Sequence, residues 1–330
     1  MINHRFSLEK GTKKYNCPSC RAVKRFRRYI DTNTGNQIAD EVGLCDRENS
    51  CGYHFTPRQY FTDNPNNLDR PQIWQRSEPI KTINRSIDYL PIELLEKSVL
   101  NNEKCSLFLF FKTLFGYDVA KQLCDRYFIG TNKDGHTVFW QVDFKAEIRQ
   151  AKIMEYNSST GRRNREFGAL FAGKMILGNN DVNLQQCFFG EVYLALNENK
   201  EKIVAIVESE KTAVIASIYY PKYLWIATGG KYGCKWTEKD VCKVLEGRKV
   251  LLFPDLGAYE KWNEKGKLLA NIANCKVVTS DLLEINANDE ERKAGLDIAD
   301  YLLRVKDNSG LALTDYHYPV IWDLKLLQTS

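Results

Sequence analysis

Glu208 closes the apolar run "KIVAIV", Asp255 follows "KVLLFP", and Asp281 follows "CKVVTS", so three carboxylates stand where hydrophobic segments end. Asp297 and Asp300 follow together in "GLDIAD". Carboxylates gathered at one edge repel each other and raise each other's pKa unless a cation shares the site. A hard divalent ion such as Mg²⁺ suits them, because it prefers oxygen ligands and leaves positions open for phosphate oxygens. Lys211, one turn into the segment after Glu208, can meet the same phosphates. Acids also cap helix N-termini. That explains one such residue, but not three or four at the same edge.

A second chemistry-bearing group lies near the N-terminus. Cys17-Pro-Ser-Cys20 is a CxxC knuckle, and Cys45 and Cys51 follow after an intervening stretch. Four thiolates in two pairs can hold Zn²⁺ tetrahedrally as a structural ion, with His54 in "CGYHF" as an alternative fourth ligand. Between the pairs, "VKRFRRYID", the turn "TNTGN" and "QIADEVGLC" read as strand–turn–strand, the layout of a zinc ribbon. Lys24, Arg25, Arg27 and Arg28 interleave with Phe26 and Tyr29 on that hairpin. Cations beside aromatics suit a phosphate backbone with stacked bases, and a solvated basic strand has the same pattern.

The acidic residues must be positioned by a regular alternation that begins at residue 201. "KIVAIVES" predicts a strand buried on both faces, "EKTAVIASIYY" a helix ending before Pro221, and "YLWIATGG" a second strand. "WTEKDVCKVLEG" predicts a helix with Thr237 and Asp240 as a capping box. "KVLLFPD" is a third strand, "AYEKWNEKGKLLANI" a helix and "CKVVTSD" a fourth strand. Short links between alternating strands and helices predict a parallel α/β sheet, whose ligands sit at the carboxyl ends of the strands.

Upstream, "DYLPIELLEKSVLNNEKCSLFLFFKTLFGYDVAKQLCDRY" has helical spacing, and short strands surround the turn at Asp134-Gly135. Lys152, Arg162, Arg163 and Arg165 flank the turn "NSSTG". "GALFAGKM" approaches a phosphate-binding loop but ends on Met175, which lacks the Mg²⁺-binding hydroxyl, and no clear buried strand precedes it. The expected organisation is a zinc ribbon over 1–60, a Pro- and Asn-rich linker over 61–86 and a mixed α+β basic subdomain over 87–200. The parallel-sheet domain over 201–305 and a tail over 306–330 complete it.

The chain has 330 residues, ten cysteines and a formal net charge of +5. That length predicts two or three domains, and the charge permits nucleic-acid binding without requiring it. No apolar h-region opens the sequence, and "CSLFLFFKTLF" is too short to span a bilayer. The expectation is a soluble, cytoplasmic protein without a membrane partner, in which clustered cysteines bind metal rather than form disulfides.

From Cys17 to about residue 305 the chain resembles toprim-containing, primase-like proteins of bacterial mobile elements and prophages. Glu208 in "IVESEKTA" is similar to the toprim glutamate, Asp255 in "LLFPDLGAYEKW" to the first acid of its Asp-x-Asp, and Asp297 to an acid after the fourth strand. "HTVFWQVDF" and "AKIMEYN" resemble strands of the basic subdomain that holds template and nucleotide in primases. Two departures stand out: Gly257 replaces the second acid, and Ser209 the usual glycine. Asp281, Asp297 or Glu260 can restore the missing ligand.

The resemblance implies a primase-type nucleotidyltransferase acting on single-stranded DNA and nucleoside triphosphates. Glu208, Asp255 and Lys211 would be catalytic. Glu208, Asp255 and Asp297 would hold Mg²⁺ or Mn²⁺, Lys152, Arg162 and Arg163 would grip template or nucleotide, and a separate replicative helicase is a further expected partner. The alternatives are a single-strand DNA-binding protein on a toprim fold that has lost its chemistry, and a toprim nuclease.

Overall fold

The computed structural model describes residues 5–9, 11, 13–47, 51–64, 86–178, 182–230 and 232–305. Most of the expected linker (65–85) and the whole tail (306–330) lie outside the described residues. The chain divides into two compact units, residues 1–84 and 85–330.

In the first unit, β1 (Phe6–Leu8), β2 (Phe26–Asp31), β3 (Gly43–Cys45) and β4 (His54–Phe55) pair antiparallel in chain order. Gly35, at φ +73°, closes the turn after β2 by donating to the Asp31 carbonyl. Phe26 pairs with Cys45, so the hairpin joins the two cysteine pairs as their spacing predicts. Its core contains Cys17, Phe26 and Cys45, with Tyr15, Cys20, Cys51 and Tyr53 packed around them. So small a core needs a staple, and the thiols are placed to provide one.

Residues 61–63, the first of the expected linker, are the end of a helix. Pro57–Asp63 form helix α1, with Thr56 and Gln59 in a reciprocal capping box. Pro57 sits at the first helical position, where its missing N–H costs nothing, so this proline starts a helix rather than marking a loop.

The second unit opens with α2 (Ile92–Val99), α3 (Ser106–Phe115) and α4 (Tyr117–Arg126). Helix α3 is the apolar run and buries Leu107, Phe108, Phe110 and Phe111. An antiparallel sheet follows: β5 (Ile129–Thr131), β6 (Thr137–Val142), β7 (Ile148–Met154) and β8 (Leu170–Phe171), in that order. Helix α5 (Gly173–Leu177) takes up the end of the loop-like "GALFAGKM". The Gly173 amide there donates to Gln150 Oε1 at 2.7 Å, so a buried side chain occupies what a phosphate would need.

Next come β9 (Val204–Val207), α6 (Glu210–Tyr219), β10 (Leu224–Ala227), α7 (Lys239–Cys242), β11 (Lys249–Leu252), α8 (Tyr259–Ala273) and β12 (Lys276–Thr279). The four strands are parallel in the order β10-β9-β11-β12. Strand β9 is inside the sheet, and all four of its side chains are fully buried. Burying each Val or Ile contributes about 1.5–3 kcal/mol. Three short helices close the described chain: α9 (Leu282–Asn286), α10 (Asp289–Ala294) and α11 (Ile298–Val305). One hydrophobic core runs from Leu90 to Leu302, so both sheets of this unit share it.

The helix expected from Thr237 is also corrected. Helix α7 starts at Lys239 with Glu238 as N-cap and no side-chain capping bond, then tightens into a 3₁₀ turn over Lys243–Leu245. Burial of Val241, Cys242 and Leu245 holds this short segment in place of a cap.

Candidate metal centres and nucleic-acid surface

The ribbon's thiols come together. The Sγ atoms of Cys17, Cys20, Cys45 and Cys51 all lie within 4.8 Å of one another. Cys17 and Cys51 are 3.7 Å apart, close to the spacing that sulfurs about 2.3 Å from one tetrahedral zinc would have. The Tyr53 amide pulls the Cys51 thiol down to about 6, whereas burial pushes Cys45 up to about 12. His54 is turned away from the cluster: its Nε2 lies 3.0 Å from the Tyr29 hydroxyl and its ring stacks on Tyr29. The donor set is therefore four sulfurs and fits a structural zinc.

The ribbon's cations divide into two groups. Arg28 is engaged within the unit, 2.8 Å from Asp40, 2.8 Å from Gln37 and over the Tyr15 ring. Arg27 is half-buried on β2. Lys24 and Arg25, just before the strand, are exposed and open to a polyanion.

In the second unit the C-terminal edge of the parallel sheet collects the acids. Glu208 follows β9, and its backbone carbonyl accepts the Gly229 and Gly230 amides at 3.0 Å each and the Thr228 hydroxyl at 3.4 Å. Asp255 follows β11. The next amide, Leu256, donates to the Leu296 carbonyl at 3.0 Å, which draws the Asp255 loop toward Asp297. Asp297 and Asp300 cap each other's backbone at the start of α11: the Asp300 amide reaches Asp297 Oδ1 at 3.0 Å, and the Asp297 amide reaches Asp300 Oδ2 at 3.3 Å. The Thr212 hydroxyl, four residues after Glu208, donates to Asp297 Oδ2 at 2.5 Å.

The electrostatics confirm the proximity. Burial pushes the Asp255 carboxyl up to about 8, reinforced by the charges of Asp297, Glu208 and Asp300. Asp300 is raised by burial and by Asp297, and is opposed by Lys211 and Arg162. Those two cations therefore face the same edge, and Lys211 Nζ also donates to the Gly161 carbonyl at 3.3 Å. Arg163, next in the chain to Arg162, is exposed and bridges to Tyr156. Among the described residues, only the thiols have ligand atoms all within 4.8 Å of one another. The acids are near enough to repel but do not converge on one point.

Other expected contributors lie elsewhere. Asp281, before α9, and Glu260, in the first turn of α8, are both exposed. At Gly257 the backbone is left-handed (φ +80°), and its amide donates to Glu284 Oε1 at 3.0 Å. Glu284 thus brings a carboxylate to this position from α9, and Arg292, 2.9 Å away, already neutralises it.

Lys152 does not project toward solvent as expected of a template- or nucleotide-gripping residue. It is 5% exposed and bonds both carboxylate oxygens of Glu210 and the Gly229 carbonyl. The Lys152–Glu210 pair was missed from sequence because its members are 58 positions apart. Thr212 and Asp300 carried a readable signal: one lies a helical turn past Glu208, and the other is three residues past Asp297, the capping-box spacing. Among the described residues, no helix is long and apolar enough to cross a membrane.

Comparison with known proteins adds the following. Residues 4–66 match a zinc beta-ribbon finger family, and residues 105–256 match a domain of unknown function, DUF6371, over a little under half of the chain. No curated protein matches the sequence. Among solved structures, the chain is similar to a DNA primase domain from Pseudomonas aeruginosa, at 11% identity and a TM-score of 0.29. That alignment covers 58% of this chain and 64% of the other, just under two thirds of it. The chain is also similar to the primase fragment of the bacteriophage T7 primase-helicase protein, at 14% identity and a TM-score of 0.35, over 86% of this chain and 98% of that one. The molecule is an α/β protein in which a zinc ribbon precedes an antiparallel α+β layer and a parallel sheet.

Proposed function

We propose that the protein is a primase-like nucleotidyltransferase that acts on single-stranded DNA with a divalent metal at a toprim-type acidic edge. One observation carries this reading: Glu208, Asp255, Asp297 and Asp300 reach one edge of the parallel sheet, where burial first, and then the charges of Asp297, Glu208 and Asp300, push the Asp255 carboxyl up to about 8. Such a cluster is relieved by a cation. Glu208 and Asp255 are the side chains that would hold it, with Asp297 oriented by Thr212 and by the Asp300 amide. A bound Mg²⁺ or Mn²⁺ supplies a lowered pKa for an attacking hydroxyl and charge neutralisation on a departing pyrophosphate. Lys211 and Arg162 attract the triphosphate of a nucleotide to that edge, and Lys24 and Arg25 of the ribbon bind the DNA backbone. A replicative helicase on a separate chain would complete the activity, in the setting of a bacterial mobile element.

A second reading, a DNA-binding protein on an inactive toprim fold, is favoured by Gly257 and by the Glu284 carboxylate there being already paired with Arg292. Incorporation of labelled ribonucleotides on single-stranded DNA separates the two. The nucleotidyltransferase reading expects products that need Mg²⁺ or Mn²⁺ and fall by about 100-fold or more in Glu208→Gln. Absence of product, with wild type and variant binding DNA equally and omission of Mg²⁺ and Mn²⁺ changing nothing, establishes the binder.

A further inference from the structure

A buried ion pair that the proposed chemistry does not use belongs to the second unit. Lys152 on β7 and Glu210, the first residue of α6, are 5% and 1% exposed. Lys152 Nζ lies 2.9 and 2.8 Å from the two Glu210 oxygens and 2.9 Å from the Gly229 carbonyl. An ammonium has three donors, so all are committed and none is left for a substrate.

Gly229 connects this pair to the acidic edge. Its carbonyl is held by Lys152, and its amide, with that of Gly230, donates to the Glu208 carbonyl at 3.0 Å. Both glycines have φ +85°, the left-handed region, so the turn has a particular shape to keep. The space around it is filled: a Cβ on Gly229 would lie 3.2 Å from Gly233 Cα, 3.3 Å from Glu210 Oε1 and 3.5 Å from Gln141 Nε2. A buried pair of this kind is weak evidence for stability, since apolar residues of similar volume can replace it. Its distinctive product here is orientation, because Glu210 lies two residues after Glu208 and Gly229 is bonded to Glu208 itself.

We infer that Lys152 is a positioning residue for Glu208. By tying the Gly229 carbonyl to the Glu210 carboxylate, it sets the Gly229–Gly230 turn, and that turn fixes the backbone from which the Glu208 carboxylate reaches a metal. This rests on the reading of the acidic edge as a divalent-metal site.

The test compares wild type with Lys152→Met/Glu210→Met, which removes both charges together so that neither is left buried alone. Glu210→Gln, in which Lys152 loses its counter-charge but can still bond the Gly229 carbonyl, is the second variant. Amide exchange of Gly229 and Gly230, read by NMR on glycine-labelled protein without metal, reports the turn directly. Mn²⁺ affinity, read by electron paramagnetic resonance, reports Glu208, and melting temperature reports the fold.

The paired variant is expected to melt within a few degrees of wild type. It should exchange both amides about tenfold faster and bind Mn²⁺ about tenfold more weakly, as loss of an outer-shell support does. Glu210→Gln is expected to retain amide protection. Unchanged amide protection in the folded paired variant overturns the inference whatever the edge binds. Faster exchange with wild-type Mn²⁺ affinity also overturns it, since the turn then does not set Glu208. Failure of the underlying reading looks different: Glu208→Gln binds Mn²⁺ as wild type does, and Lys152 then has no ligand to position.

Discussion

The two candidate metal centres are built in opposite ways. The ribbon's four thiols lie within 4.8 Å of one another, on knuckles joined by one hairpin. The acidic edge draws on Glu208 after β9, Asp255 after β11 and the Asp297–Asp300 cap of α11, and its groups repel one another rather than converge. A site made of neighbouring loops is specified locally and holds its own small fold together. On the proposed reading, a site made of strand ends inherits its geometry from a large core and from supports such as Lys152, and a cation completes it. The first kind fails by unfolding, and the second by losing function while the fold survives.

That contrast can be broken at several points. The largest effect is expected from stripping zinc or from Cys20→Ser. Structural zinc contributes on the order of 10 kcal/mol in small zinc domains, so limited proteolysis should degrade the ribbon while the 85–330 unit melts unchanged. A ribbon that resists protease without zinc would erase the distinction. Next is Lys152→Met alone, which leaves Glu210 buried and unpaired and should destabilise the second unit by about 3–5 kcal/mol in denaturant titration, with recovery in the paired Met variant.

A smaller effect tests whether a buried acid needs a cation. Glu191 is buried apart from the proposed ligands and accepts the Phe144 and Phe188 amides at 3.1 Å each. Burial pushes its carboxyl up from 4.5 to about 8. Between these values the folded chain keeps a proton that the unfolded chain releases, so its contribution to stability is full below the lower value and is lost as pH rises toward the upper. The slope is at most about 1.4 kcal/mol per pH unit. Melting curves should show it in wild type and not in Glu191→Gln, and Mn²⁺ should leave the Glu191 share unchanged. The smallest effect belongs to Lys24→Ala/Arg25→Ala. Single-stranded DNA affinity should weaken several-fold and the salt slope should fall by about 1–2, with no dependence on Mg²⁺.

Much of this was legible in the sequence, for physical reasons. "IVAIV" is apolar at every position because β9 is covered on both faces, and that placed Glu208 at a strand end. The cysteine spacing was readable because its partners are close along the chain. The acid that would replace the missing one at Gly257 was not readable. Glu284 arrives from α9 and is neutralised by Arg292, and both facts depend on three-dimensional packing. Lys152 looked like a free cation because it was grouped with Arg162, Arg163 and Arg165 around the turn "NSSTG", whereas its partner in space is Glu210. Residues 61–63, expected as linker, and the helix start expected at Thr237 were misread where capping and burial outweighed local pattern.

The most direct test is a crystal grown with zinc and soaked in millimolar Mn²⁺, with anomalous difference maps recorded above each metal's absorption edge. The account predicts zinc among Cys17, Cys20, Cys45 and Cys51, and manganese beside Glu208 and Asp255, absent from Glu208→Gln crystals. Manganese nowhere near Glu208 in the wild-type crystal would contradict it.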